Sequence, residues 1–253
     1  MTALGVDRAR LYAAFYEFPI PDEAERGETL VARRLAREPV AYLMGKREFY
    51  GVEIAVGPGV LIPRTDTETV VEETLRLIEG VEAPHIADVG CGSGAIAVAL
   101  AVARPDAVVY ALDLAPRALE LTALNAAANG VAGRVQVLES DLLAALPAPV
   151  HVIAANLPYV RSDEMPTLDP EVRLFEPREA LDGGEDGMEL VRRLLDESGA
   201  RLHPGGAAAL EMDPRQIAPA SQHAAAALPG STLSVARDLA GRERVLVVQT
   251  PPA

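Results

Sequence analysis

The sequence predicts an α/β protein in which helices cover both faces of a mainly parallel, seven-stranded sheet. Three observations point there. Beyond Asp66, strand-like and helix-period segments alternate. A glycine-rich turn, Gly90-Cys91-Gly92-Ser93-Gly94, separates an apolar strand-like run from an alanine-rich helical one. Acidic residues, Asp113 and Asp141, close the next two strand-like runs.

Taken in chain order, residues 1–46 read as a small helical N-terminal region. Leu11, Ala14, Phe15 and Phe18, then Leu30, Val31, Arg34 and Leu35, recur at helical spacing, with Pro19 and Pro21 breaking the pattern. From Glu48 to Ile62 the pattern turns to alternating apolar residues with glycines at turn positions, which predicts a β-hairpin linker spanning 47–65. The main domain, 66–253, opens with a helix over 67–78, then a strand over 85–89 and a helix over 95–103 that stops before Pro105. A strand over 108–112, a helix over 116–129 and strands over 135–139 and 150–155 follow. Helices over 188–202 and 214–227 and strands over 207–212 and 245–249 complete it. Six strands receive ranges and seven are expected.

Composition sets the outer limits. With 253 residues and 49% hydrophobic content the chain buries a sizeable core, and no run approaches the roughly 18 apolar residues of a membrane span. The N-terminus lacks the charged-then-apolar order of a secretory signal, so a cytoplasmic protein without membrane attachment is expected. One cysteine and four scattered histidines exclude a disulfide framework and leave no metal cluster at ligand spacing. A net charge of −14 repels phosphate backbones, which argues against direct nucleic-acid binding and for a protein or small-molecule partner, with a monomer the favoured state.

The chemistry-bearing residues fall at the C-terminal ends of the predicted strands. Asp88 and the loop Gly90, Cys91, Gly92, Ser93 and Gly94 let a ligand approach backbone at a helix N-terminus, where free amides favour an anionic group. Asp113 stands where doubly wound folds bind ribose hydroxyls through a carboxylate. Asp141 with Leu142, acidic beside apolar, suits the edge and face of an adenine, and the set together matches S-adenosylmethionine. Cys91 reads as a loop filler and not as a nucleophile, because no base is paired with it. The most discriminating run is Asn156-Leu157-Pro158-Tyr159, directly after the fourth strand. The Asn156 side-chain oxygen and the Leu157 carbonyl can accept both hydrogens of an –NH₂ group, Pro158 stiffens the turn, and Tyr159 offers a π-face to a planar amide or base.

With these residues in view, the chain resembles the HemK/PrmC family, the peptide chain release factor glutamine N5-methyltransferases. The likeness runs from about Arg37 almost to the C-terminus, through REPVAYLMGKREFYG, VLIPRTDTETVVE, DVGCGSGAIAVAL, ALDLAPRALELTALNA, NLPYV, RLFEPREAL and GRERVLVVQT. It implies a Rossmann-like class I methyltransferase sheet with its last strand antiparallel, a small helical N-terminal domain and a hairpin linker. It also implies that the glycine loop, Asp113, Asp141–Leu142 and Asn156 surround S-adenosylmethionine, that residues 156–159 receive a release-factor glutamine, and that the release factor is the partner. Leu157 stands where the family usually carries a proline, and the N-terminal region is shorter than the family's.

The expected reaction is attack of the acceptor amide nitrogen on the cofactor's methyl group, with no general base assigned. Arg64, Phe175 and Glu176 are further candidates for the acceptor pocket. The same tetrapeptide also suits the exocyclic amine of a flipped adenine. A ribosomal-protein glutamine is a second alternative acceptor, and a non-catalytic cofactor-binding scaffold is the reading from another class.

Overall fold

A computed structural model describes residues 4–6, 8–13 and 20–252. The predicted helical positions Ala14, Phe15 and Phe18, and the break at Pro19, lie outside the described residues. The N-terminal region contains α1 (Arg8–Ala13), α2 (Pro21–Leu35) and α3 (Val40–Met44). Pro21 occupies the first position of α2, where its missing N–H costs nothing, and the Ile20 amide donates to the Glu23 carboxylate at 3.0 Å. No residue of α2 is buried. Its Arg34 pairs with Glu171 at 2.6 Å, tying it to the main domain.

The linker hairpin forms from β1 (Lys46–Phe49) and β2 (Val52–Ala55). Tyr50 and Gly51 both have positive φ, 47° and 74°, the backbone that a two-residue turn needs to match the strand twist. The hairpin packs closely on the main domain. Phe49, Val52, Ile54 and Val56 are buried in one core with residues of that domain's first helices, and Asn125 bonds both the amide and the carbonyl of Ala55 at 2.8 and 3.0 Å. We propose the division 1–46, 47–65 and 66–253 on the change from helices to hairpin to alternating elements, with the hairpin as the surface on which the N-terminal region sits.

The main domain runs α4 (Glu68–Leu77), β3 (His85–Val89), α5 (Ala95–Ala103), β4 (Val108–Asp113), α6 (Pro116–Ala128), β5 (Val135–Glu139) and β6 (Val150–Ala155). It continues through α7 (Pro170–Phe175), α8 (Glu189–Ser198), β7 (Leu202–Glu211), α9 (Ile217–Ala227), β8 (Thr232–Arg237) and β9 (Glu243–Gln249). The seven strands lie in the order β5-β4-β3-β6-β7-β9-β8. All neighbours are parallel except that β9, the last in the chain, runs antiparallel to both β7 and β8. One face packs on α4 and α5 through Val70, Val71, Ile96 and Leu100, and the other on α8 and α9 through Leu194, Leu195, Ile217 and Ala220. Among the described residues no helix is long and apolar enough to cross a membrane.

Two differences from the sequence reading have physical causes. The strand left without a range is β8, whose sequence TLSVAR lies mostly exposed at the sheet edge and so carries no continuous apolar run. The helix expected over 188–202 stops at Ser198, whose hydroxyl bonds back to the Leu194 carbonyl at 2.6 Å, and Leu202 already pairs with Val150 as β7.

Candidate active site

The C-terminal ends of β3, β4 and β6 converge on a cavity. Gly90, Gly92 and Gly94 have φ of 72°, 55° and 78°, so the loop takes a path that side chains resist. The Gly90 and Cys91 amides donate to the Leu112 carbonyl at 2.8 and 3.0 Å. Asp113 sets the rest: its carboxylate accepts from the Gly92 amide and the Ala115 amide, each at 2.9 Å. Gly90, Cys91, Gly92, Ser93, Asp113, Ser140, Asp141 and Leu142 all line the cavity. Asp141 sits at the rim, paired with Arg193 at 2.8 Å, while Leu142, at φ 47°, turns its side chain into the buried wall. Burial, with Asp88 and Asp113 adding to it, pushes the Cys91 thiol up, away from nucleophilic chemistry.

Two residues expected against the cofactor stand elsewhere. Asp88 is fully buried behind the loop and off the cavity wall; one carboxylate oxygen accepts from the Ala97 amide at 2.9 Å and so caps α5 from beneath. Gly94 also lies off the wall. A Cβ there would meet Thr122 at 2.8 Å, so this glycine serves the close approach of α5 to α6.

A second cavity adjoins the first, and Asn156 and Leu157 line both. The Asn156 amide nitrogen donates to the Thr67 hydroxyl at 3.0 Å, which fixes the side chain and leaves its oxygen for another donor. Leu157 is buried, and a Cβ on Gly90 would stand 3.0 Å from its Cδ2; the leucine side chain therefore packs over the glycine loop. Tyr159 lines the second cavity while its hydroxyl reaches inward to Glu211 at 3.4 Å, and burial beside that carboxylate raises its pKa. The turn is held from outside as well. Val160 exchanges backbone bonds with Leu181 and Gly183, and the Gln216 side chain donates to the Tyr159 carbonyl at 2.8 Å. Gly183 is required there, since a Cβ would come within 2.6 Å of the Pro158 carbonyl.

Of the further candidates, Arg64 lines the second cavity and pairs with the buried Glu176. Glu176 also accepts from the Ile62 amide at 3.0 Å, so it clamps the linker and does not face the cavity. Phe175 packs against the hydrophobic core and lines neither cavity. Thr67, Ser140, Gln216 and Glu211 were not singled out from sequence. Only Glu211 carried a usable signal, as a carboxylate ending the apolar run AAALE at a strand's C-terminal end.

Comparison with known proteins then fixes the lineage. Residues 1–45 match the PrmC N-terminal domain and residues 68–174 the methyltransferase small domain. The release factor glutamine methyltransferase of Geobacter sulfurreducens is 44% identical, over 81% of this chain and 71% of that protein. That of Cereibacter sphaeroides is 40% identical over 99% of this chain and 88% of its own length. The chain belongs to the release factor glutamine methyltransferase family. Among solved structures, a methyltransferase from Pyrococcus furiosus shares the fold with a TM-score of 0.58 at 17% identity, covering 87% of this chain and 97% of that one.

In this member of the release factor glutamine methyltransferase family, the buried carboxylates of Asp88 and Glu211 have a consequence for stability. Desolvation pushes both Asp88 and Glu211 up to about 7. A carboxyl group raised in the folded state stabilises it fully below its unfolded pKa, and that contribution is lost as pH rises toward the folded value. Each group then imposes a slope of up to about 1.4 kcal/mol per pH unit between roughly pH 4 and 7. The melting temperature should fall from pH 5 to pH 8, and Asp88→Asn should flatten that fall. Calorimetry at three pH values checks it; an unchanged slope in the folded variant would show that Asp88 ionises as freely as in the unfolded chain.

Proposed function

We propose that the chain transfers a methyl group from S-adenosylmethionine to the side-chain amide nitrogen, N5, of a glutamine in a peptide chain release factor. The observation that carries this reading is Asn156, which stands where two cavities meet with its amide nitrogen engaged and its oxygen available. Family membership supports it, since the relatives are release factor glutamine methyltransferases. That acceptor is the partner, and it puts the reaction in the cytoplasm.

The residues of the first cavity fit the cofactor. Glycine backbone and the apolar Leu142 and Leu190 suit the flat faces of a nucleoside, the Asp113 carboxylate suits ribose hydroxyls, and Asp141 suits the adenine edge. Ala95 and Ile96, which open α5, are also on the wall, where the first amides of a helix have no partner within it and favour a carboxylate. When bound, S-adenosylmethionine supplies an electrophilic methyl on a sulfonium.

The chain's own contribution is alignment and charge. An amide nitrogen is a weak nucleophile because its lone pair is delocalised, so it must be held in line, and the positive charge it gains must be met by fixed dipoles. The Asn156 oxygen and the Leu157 carbonyl accept its two hydrogens, and Tyr159 fixes the plane of the amide. Leucine in place of proline keeps the carbonyl this role needs. No general base is assigned.

The test is incubation of the purified protein with labelled cofactor and candidate release factors, then mass-spectrometric location of the label. One added methyl on a glutamine side chain is the expected result. Label appearing only on a ribosomal-protein glutamine or on adenine would replace the acceptor named here.

A further inference from the structure

We propose that Tyr42, on α3 of the N-terminal region, is a positioning residue for S-adenosylmethionine: through the Val60 carbonyl it holds the linker wall of the cofactor cavity in place. The inference deepens the reading above and rests on it for the identity of that cavity. Besides the glycine loop and the strand ends, the cavity is walled by Gly59, Val60, Leu61 and Pro63, from the stretch between β2 and α4. Residues 58–63 are neither helix nor strand. Among the described residues their only backbone-to-backbone hydrogen bond is a long one, from the Val60 amide to the Gly57 carbonyl at 3.4 Å. Side chains from two other elements hold the stretch instead. The Tyr42 hydroxyl donates to the Val60 carbonyl at 2.5 Å, and the Glu176 carboxylate accepts from the Ile62 amide at 3.0 Å. Tyr42 and Val60 are 6% and 2% exposed, so their bond is closed to water.

A buried carbonyl needs a donor, and a stretch outside any ladder must take it from a side chain. A buried phenol needs a partner as well, and phenylalanine would fill the same space without that demand. The pairing meets both needs and pins the wall to the N-terminal region. Packing holds the wall against α6. Val60 sits with Ala118 and Leu121, and Gly59, at φ 96°, comes so close to Arg117 that a Cβ there would stand 2.9 Å from its Cγ. Ala118 also lines the cavity, so the stretch that Tyr42 holds abuts the helix that follows Asp113.

A wall ordered before the ligand arrives does not have to be ordered on binding. Without the Tyr42 hydroxyl, the Val60 carbonyl stays buried and unpaired unless the stretch moves to reach water. Ordering the wall then falls to the cofactor. The loss should appear in cofactor affinity and leave acceptor alignment intact, because Asn156 is fixed separately by Thr67.

The experiment compares the full chain as wild type and as Tyr42→Phe in three measurements: titration calorimetry with S-adenosylhomocysteine, hydrogen exchange of the Leu61 and Ile62 amides, and steady-state methylation of a release-factor glutamine peptide. Tyr42→Phe should weaken S-adenosylhomocysteine binding by about fivefold or more, the scale of one buried hydrogen bond. The KM for S-adenosylmethionine should rise likewise, while kcat at saturating cofactor and the KM for the peptide change by less than about twofold. Without ligand both amides should exchange faster in the variant, and S-adenosylhomocysteine should slow them by a larger factor there than in wild type. Unchanged affinity in folded Tyr42→Phe overturns the proposal, and so do matching losses in kcat and peptide KM, which would mark a general loosening. If Tyr42→Phe does not fold, wild type decides: S-adenosylhomocysteine should shift the nuclear magnetic resonance signals of the Tyr42 ring, although that ring lines neither cavity, and unmoved signals overturn the proposal. Wild type that binds no S-adenosylhomocysteine refutes the cofactor reading of the cavity and this inference with it. The full Tyr42 effect on binding without a methylated glutamine refutes the acceptor assignment and leaves the positioning role standing.

Discussion

Asn156→Ala should lower kcat for a release-factor glutamine by about 10²-fold or more, the loss typical of a preorganised electrostatic contact, while cofactor affinity falls much less. The structure sharpens the reason. Because the Asn156 nitrogen is committed to Thr67 at 3.0 Å, the oxygen is the atom available to an acceptor –NH₂. Alanine deletes that acceptor and also leaves the Thr67 hydroxyl without its donor. Asn156→Asp separates these effects: it keeps an acceptor oxygen, and Thr67 can rotate to donate to the new carboxylate, although the added charge alters the field near the cofactor. A modest loss for aspartate with a severe one for alanine supports orientation of the acceptor amide. Equal severe losses point instead to a required –NH₂ donor, and unaffected single-turnover rates in both folded variants would remove Asn156 from the chemistry.

What sequence revealed and what it concealed divides along one physical line. Local structure was legible: α5 spans Ala95–Ala103 as expected because Gly94 and Pro105 bracket it, and the glycine loop and the Asn156–Tyr159 turn fall at strand ends. The direction in which a side chain points was not legible. Asp88 lies two residues before Gly90, yet its carboxylate turns beneath the loop to cap α5, a choice made by the packing of β3 between β4 and β6. Partners distant in the chain were equally hidden. Thr67 meets Asn156 across 89 positions and Gln216 meets Tyr159 across 57, and no periodicity encodes either contact. Glu176 and Phe175, two of the further candidates for the acceptor pocket, secure the scaffold instead, one through the Ile62 amide and one through the core.

Asp113→Ala should weaken S-adenosylmethionine binding by roughly 1.5–3 kcal/mol, or about 10- to 150-fold, the scale of hydrogen bonds to a charged group. On the proposed assignment the loss has two sources. The carboxylate holds the Gly92 and Ala115 amides at 2.9 Å each, so it shapes the glycine loop before any ligand arrives, and its remaining lone pairs face the cavity for a ribose. Alanine leaves two amides unpaired and frees a loop whose glycines have much conformational freedom to regain. Asp113→Asn is expected to recover little, because its single oxygen can satisfy only one of the two amides and its –NH₂ would confront the other. Titration calorimetry with S-adenosylmethionine and with its demethylated product measures the affinity, and a thermal melt reports the loop. Lower affinity with a lower melting temperature supports both roles. Lower affinity at an unchanged melting temperature confines Asp113 to ribose recognition, and unchanged affinity in folded Asp113→Ala would take the cofactor assignment away from this end of β4.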